Sequence, residues 1–88
     1  MWNAFANWRM FAGGTGAAEG KYGYSRSTEI GDYSIQPTTD RRGRHNGYTA
    51  YFLNVKGRLP GGLWQLLGKK VNLLHARRLC LEHEKVQS

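Results

Sequence analysis

Only one cysteine, Cys80, occurs in the 88 residues, so no internal disulfide can brace the fold, and a reducing, cytoplasmic setting suits the chain. No stretch approaches the roughly 20 apolar residues needed to span a bilayer. The opening MWNAFANWRMFAGG interrupts its apolar residues with two asparagines and an arginine, where a signal peptide would run unbroken. Neither a membrane partner nor an export signal is therefore expected. Acidic residues are scarce and unevenly placed. Six Asp and Glu face 13 Lys and Arg, for a net charge of +7. None of the six lies between Arg41 and Leu81, where Arg41, Arg42, Arg44, Lys56, Arg58, Lys69, Lys70, Arg77 and Arg78 stand unopposed. A long segment of one sign is expected where a surface meets a polyanion, although it also serves solubility.

What is present argues for a folded domain. A hydrophobic fraction of 40%, with 12% aromatic residues, is too rich for a disordered chain. Its length suits one domain with a single thin core, and a deep enzymatic pocket would consume most of it. Along the chain, residues 1–12 form an apolar segment, residues 13–21 a glycine-rich linker, and residues 22–88 a compact domain. In the first segment Trp2, Ala4, Ala6, Trp8 and Met10 fall on one face at period two, opposite Asn3, Asn7 and Arg9, which favours a strand over a helix. The linker glycines lack the Gly-Lys-Ser/Thr ending of a phosphate loop.

From Tyr22 to Pro37 the alternation of Tyr22, Tyr24, Thr28 and Ile30, then Tyr33 and Ile35, reads as one bent strand or a short hairpin turning at Gly31-Asp32. Residues 38–47 read as a loop, 48–56 as the strongest strand, 57–62 as a second loop and 63–67 as a shorter strand broken by Gly68-Lys69-Lys70. Asn72 can cap a helix from Leu73 to about Val86 whose Leu73, Ala76, Leu79, Cys80, His83 and Val86 share one face. The expected fold is α+β, an antiparallel sheet of three to four strands with a C-terminal helix packed on one face.

Such a meander brings the 38–47 loop and the 68–72 turn to the same end of the sheet. Arg41, Arg42, Arg44, Lys69 and Lys70 should converge there, flanked by His45 and Tyr48, beside the start of the helix; Lys56 and Arg58 belong to the other end. An anion would meet side-chain and main-chain donors together. The plainer reading makes the arginines a solvated hairpin tip and Tyr48 a core residue. Trp2, Trp8, Leu74 and Leu81 are candidates for an apolar contact, although Leu74 and Leu81 could equally widen the helix's buried stripe.

Catalytic and metal chemistry find little purchase. Cys80 and His83 stand one helical turn apart, but zinc needs three or four ligands, so Cys80 reads as a core residue and no metal or cofactor is expected. Glu82 and Glu84 point in different directions on a helix. Ser25, Ser27 and Ser34 have no histidine set beside them in a nucleophile arrangement. The chain does not read as an enzyme.

EIGDYSI, GYTAYFLNV, LWQLLG and HARRLCLEH, spread from Glu29 to His83, follow one another as a tyrosine-isoleucine strand, an aromatic strand, a tryptophan-leucine-glycine strand and an Ala-x-x-x-Cys-x-x-His helix. In this order they resemble small phage and prophage orphan proteins. The resemblance implies a compact sheet carrying one helix and a mobile-element origin, and it transfers no functional residues. By analogy with free-standing phage proteins of this size, it points to a non-enzymatic inhibitor, anti-CRISPR-like, that binds a host protein or an RNA-guided nucleoprotein complex through a basic surface. The alternatives are a direct nucleic-acid-binding module, resembling a double-stranded-RNA-binding domain if the first segment is helical, and a structural or assembly protein using the apolar residues.

Overall fold

The computed structural model describes residues 7–12, 22–60 and 62–87. Five strands run in chain order across one antiparallel sheet: β1 (Arg9–Ala12), β2 (Tyr22–Ser27), β3 (Asp32–Thr39), β4 (His45–Leu53) and β5 (Trp64–Val71). A helix, α1 (Leu73–Gln87), follows and packs on β3, β4 and β5. The α+β class and the C-terminal helix are as the sequence implies, but there are five strands rather than three to four. Two features account for the difference. Residues 22–39 fold as a true hairpin, closed where Thr28 N–H donates to the Gly31 carbonyl (2.8 Å) and the Thr28 hydroxyl donates to the same oxygen (2.7 Å). The tail of the first apolar segment also adds β1 to the sheet.

β1 attaches through a close approach. A Cβ on Gly23 would lie 2.2 Å from the Phe11 ring, so the missing side chain opens the space that the ring fills on the neighbouring strand. Trp8 packs partly buried against the core, while Met10 is exposed. The strand expectation thus holds over Arg9–Ala12, and the helical alternative that suggested a double-stranded-RNA-binding domain fails there. Trp2 and the glycine-rich stretch 13–21 lie outside the described residues.

The register assigns the core. Tyr33 faces Phe52, Ile35 faces Ala50 and Pro37 faces Tyr48, so these side chains share one side of β3 and β4. Ala76 and Cys80 of α1 close over them, and Tyr33, Ile35, Ala50, Phe52, Ala76 and Cys80 form the buried cluster. Burying Phe52 and Ile35 stabilises by about 2–3 kcal/mol each. Pro37, inside β3, is tolerated because the pairing of β3 with β2 ends at Ile35, leaving the missing N–H beyond the last rung on that side. The helix begins as its sequence requires: the Asn72 side chain accepts from His75 N–H (2.8 Å) and its carbonyl from Ala76 N–H (2.9 Å).

Several boundaries differ from expectation. β4 occupies 45–53 rather than 48–56, because His45 pairs with Thr39 and Gly47 with Thr38, with Asn46 as the extra residue between them accepting from the Thr38 hydroxyl (2.7 Å), while Asn54 leaves the ladder to hold the next loop, its amide donating to the Leu59 carbonyl (2.8 Å). The loop between β3 and β4 shrinks to residues 40–44. Gly68-Lys69-Lys70 does not break β5; the strand absorbs them as bulges and continues to Val71. Val86, expected on the buried stripe, is 78% exposed, since α1 has run past the sheet by that turn. Leu74 is 61% exposed and so does not widen the core, while Leu81 is half-buried.

Candidate functional site: the basic end of the sheet

The tip between β3 and β4 is built by Asp40. Its carboxylate Oδ1 accepts the main-chain N–H of Arg42 (2.8 Å) and of Arg44 (3.0 Å). Asp40 N–H donates to the Arg44 carbonyl (2.9 Å) and Gly43 N–H to the Asp40 carbonyl (3.0 Å), which closes the turn. Asp40, the one acid at this end among the described residues, is therefore engaged with backbone donors. Arg41, Arg42 and Arg44 are all exposed.

β5 supplies the lysines by an irregular route. Leu66 pairs with Tyr51, Gly68 with Ala50 and Val71 with Tyr48, so Leu67 is one extra residue, and Lys69 and Lys70 together stand opposite the single residue Thr49. Lys70 carries this second bulge at φ 57°, the one non-glycine residue of left-handed conformation among the described residues. That conformation costs an L-residue with a Cβ on the order of 1–2 kcal/mol. Gly47 on β4 accommodates the bulge, because a Cβ there would lie 2.9 Å from the Lys70 carbonyl carbon, and its own φ of 129° suits glycine. Backbone contact at Gly47 therefore fixes the lysine pair to the root of the arginine hairpin. Immediately afterwards Asn72 starts α1, whose first N–H groups open toward the same end.

Tyr48 and His45 sit at the base of this surface. Their rings meet edge to face at 4.8 Å, Tyr48 packs partly buried against the core, and burial raises its hydroxyl pKa, with Tyr24 adding to the effect. His45 is half-buried, and among the described residues its Nδ1 makes no hydrogen bond. The seven residues expected at this end therefore share it, as five exposed cations and two rings that pack on each other.

Cations at the other end are arranged differently. Arg26 on β2 forms a two-pronged ion pair with Glu84 of α1, one arm of it 3.4 Å long. Lys56 Nζ donates to the Thr28 carbonyl (2.5 Å), and Arg58 lines a cavity with Glu29, Glu84 and Arg26. Between these and the core, the Tyr33 hydroxyl and His83 Nδ1 share a hydrogen bond of 2.7 Å. Burial lowers the His83 pKa below its ordinary value, raises that of Tyr33, and pushes the Cys80 thiol up to about 12, so Cys80 is an inert core thiol. Glu84 and Glu82 do diverge: the first turns to Arg26 and the second lines the outer face of α1. Ser27 donates to Asp32 (2.8 Å), and Ser34 accepts from the Gln36 amide (3.3 Å). Sequence reasoning missed the Arg26–Glu84 and Tyr33–His83 links, each of which joins positions at least 50 apart in the chain.

Comparison with protein families, with curated proteins and with solved structures finds nothing that matches this chain.

Proposed function

We infer that this chain is a non-enzymatic docking protein, which binds an acidic surface of a host protein or RNA-guided nucleoprotein complex through the basic end of its sheet, as a phage-type inhibitor acting in the cytoplasm. The observation that carries the reading is the bulge at Lys69-Lys70. A strained lysine stands where glycine would sit without cost, and it stands beside an arginine hairpin tip. A strained residue in a surface cluster is accounted for by what the side chain does there. The class of partner comes from the resemblance of the 29–83 segment to phage orphan proteins. A protein or nucleoprotein surface is favoured over bare nucleic acid because the rings that flank the arginine tip, His45 and Tyr48, are packed on each other rather than presented as stacking platforms.

Immobilised protein should capture its partner from nuclease-treated bacterial lysate, and the Arg41→Glu, Arg42→Glu, Arg44→Glu variant should not, while Lys56→Glu with Arg58→Glu still does. The triple variant should keep its fold, because surface changes away from structural features usually stay within about 0.5 kcal/mol each. Equal loss from the two reversals would end the reading. Tight binding to naked duplex DNA in a gel shift, weakening with salt at about 0.9 per phosphate neutralised, would replace it with direct nucleic-acid binding.

A further inference from the structure

The outward side of α1 carries a second surface. Leu74, Arg77, Arg78, Leu81, Glu82 and Lys85 line a groove of about 330 Å³, on the side of the helix away from buried Ala76 and Cys80. Leu74 and Leu81 are seven residues apart, as are Arg78 and Lys85, so an apolar and a cationic stripe, each about 10 Å long, are offset along the helix and together cover about 17 Å at 1.5 Å per residue. Seven is the repeat at which one helix lies along another. In that lettering the leucines take d positions, Arg78 and Lys85 take a positions, and Arg77 falls at g.

Such a stripe selects its partner by charge. Cations at a would face their own copies across a parallel pair of α1 helices, which weakens self-association, whereas carboxylates opposite them satisfy both helices. Among the described residues that line the groove, Glu82 is the only acid, beside the cations Arg77, Arg78 and Lys85. We propose that this face takes an acidic amphipathic helix of a partner protein, with its apolar residues seated on Leu74 and Leu81 and its carboxylates facing Arg77, Arg78 and Lys85. Among the described residues the groove is lined by α1 and not by the arginine tip, so its occupancy is separable from docking there.

The test uses the full chain and a synthetic peptide about three heptads long, with Leu at d and Glu at a and g. Fluorescence anisotropy should show the peptide binding at least about tenfold more tightly than a scrambled peptide of the same composition. Leu74→Glu and Arg78→Glu, both at exposed positions whose folding circular dichroism can verify, should each weaken it by about tenfold. A peptide with Lys in place of Glu at a should recover binding to Arg78→Glu, and reversal of Arg41, Arg42 and Arg44 should leave the original titration unchanged. The proposal is overturned by the absence of binding, by equal binding of the scrambled peptide, by indifference to Leu74→Glu, or by loss on reversing the tip, which would seat the peptide at the basic end. Sedimentation velocity showing a wild-type dimer that Leu74→Glu dissociates would assign the face to a second copy instead.

Discussion

The two ends of the sheet contain the same kinds of residue in opposite states of engagement. Around Arg26, Lys56 and Arg58 the cations are met by the protein itself, through Glu84, the Thr28 carbonyl and a cavity shared with Glu29. Around Arg41, Arg42, Arg44, Lys69 and Lys70 the single acid among the described residues, Asp40, is occupied by main-chain N–H groups, and the cations stand exposed. Net charge does not distinguish these situations. The lesson is that a basic surface is defined by where the acids are engaged as much as by where the cations stand. At one end charge ties β2 to α1, and at the other it remains available to something outside the molecule.

The contrast between the two ends depends most on Gly47. Gly47→Ala places a Cβ against the Lys70 backbone in a conformation glycine favours, so urea unfolding should show a loss of about 2–3 kcal/mol. Docking should weaken with it as the lysine pair shifts. Glu84→Ala comes next. It strands a half-buried guanidinium and should cost about 1–2 kcal/mol, whereas Arg41→Ala at the exposed tip should stay within about 0.5 kcal/mol. Equal costs at the two positions would show that the ends do not differ as described. Lys70→Gly should act in the opposite direction, raising stability by about 1 kcal/mol as the left-handed strain is relieved while reducing capture of the partner.

The smallest effect is on pH dependence. His83 is held below its usual 6.5 by burial, so the unfolded chain protonates there first; its contribution is whole above pH 6.5 and lost as pH falls through the folded value. Cys80 is raised from 9.0 to about 12 by burial, so its contribution is whole below pH 9 and lost as pH rises. Urea midpoints should be flat between these limits and decline on both sides, and Cys80→Ala should soften the alkaline decline while leaving docking intact.

Much of this was legible in the chain because it is written locally. Alternation marked Tyr33, Ile35 and the β4 aromatics, Asn72 announced the helix, and the meander brought the two basic segments to one end. The errors fall where a single residue's neighbours were not in its own segment. Gly68-Lys69-Lys70 looked like a break because glycine and paired lysines disfavour a strand, yet pairing to β4 outweighed propensity and turned the break into a bulge. Val86 followed the helical period faithfully and still lies in solvent, because periodicity says which side a residue takes and not where the sheet beneath it ends. Arg26 and Glu84 carried no sequence signal of their pairing.

Because β1 to β5 each pair only with their neighbours in the chain, the sheet can assemble by successive short closures, with α1 docking as the step that joins distant residues. Loop-closure cost falls mainly on that step. Order of formation then separates two kinds of substitution. Those in the β3–β4 hairpin should slow folding, and those at the contact of Ala76 and Cys80 with the sheet should chiefly hasten unfolding. How long the molecule stays folded is thus governed by the helix, while the speed with which it arrives is set by the hairpin that carries the arginines.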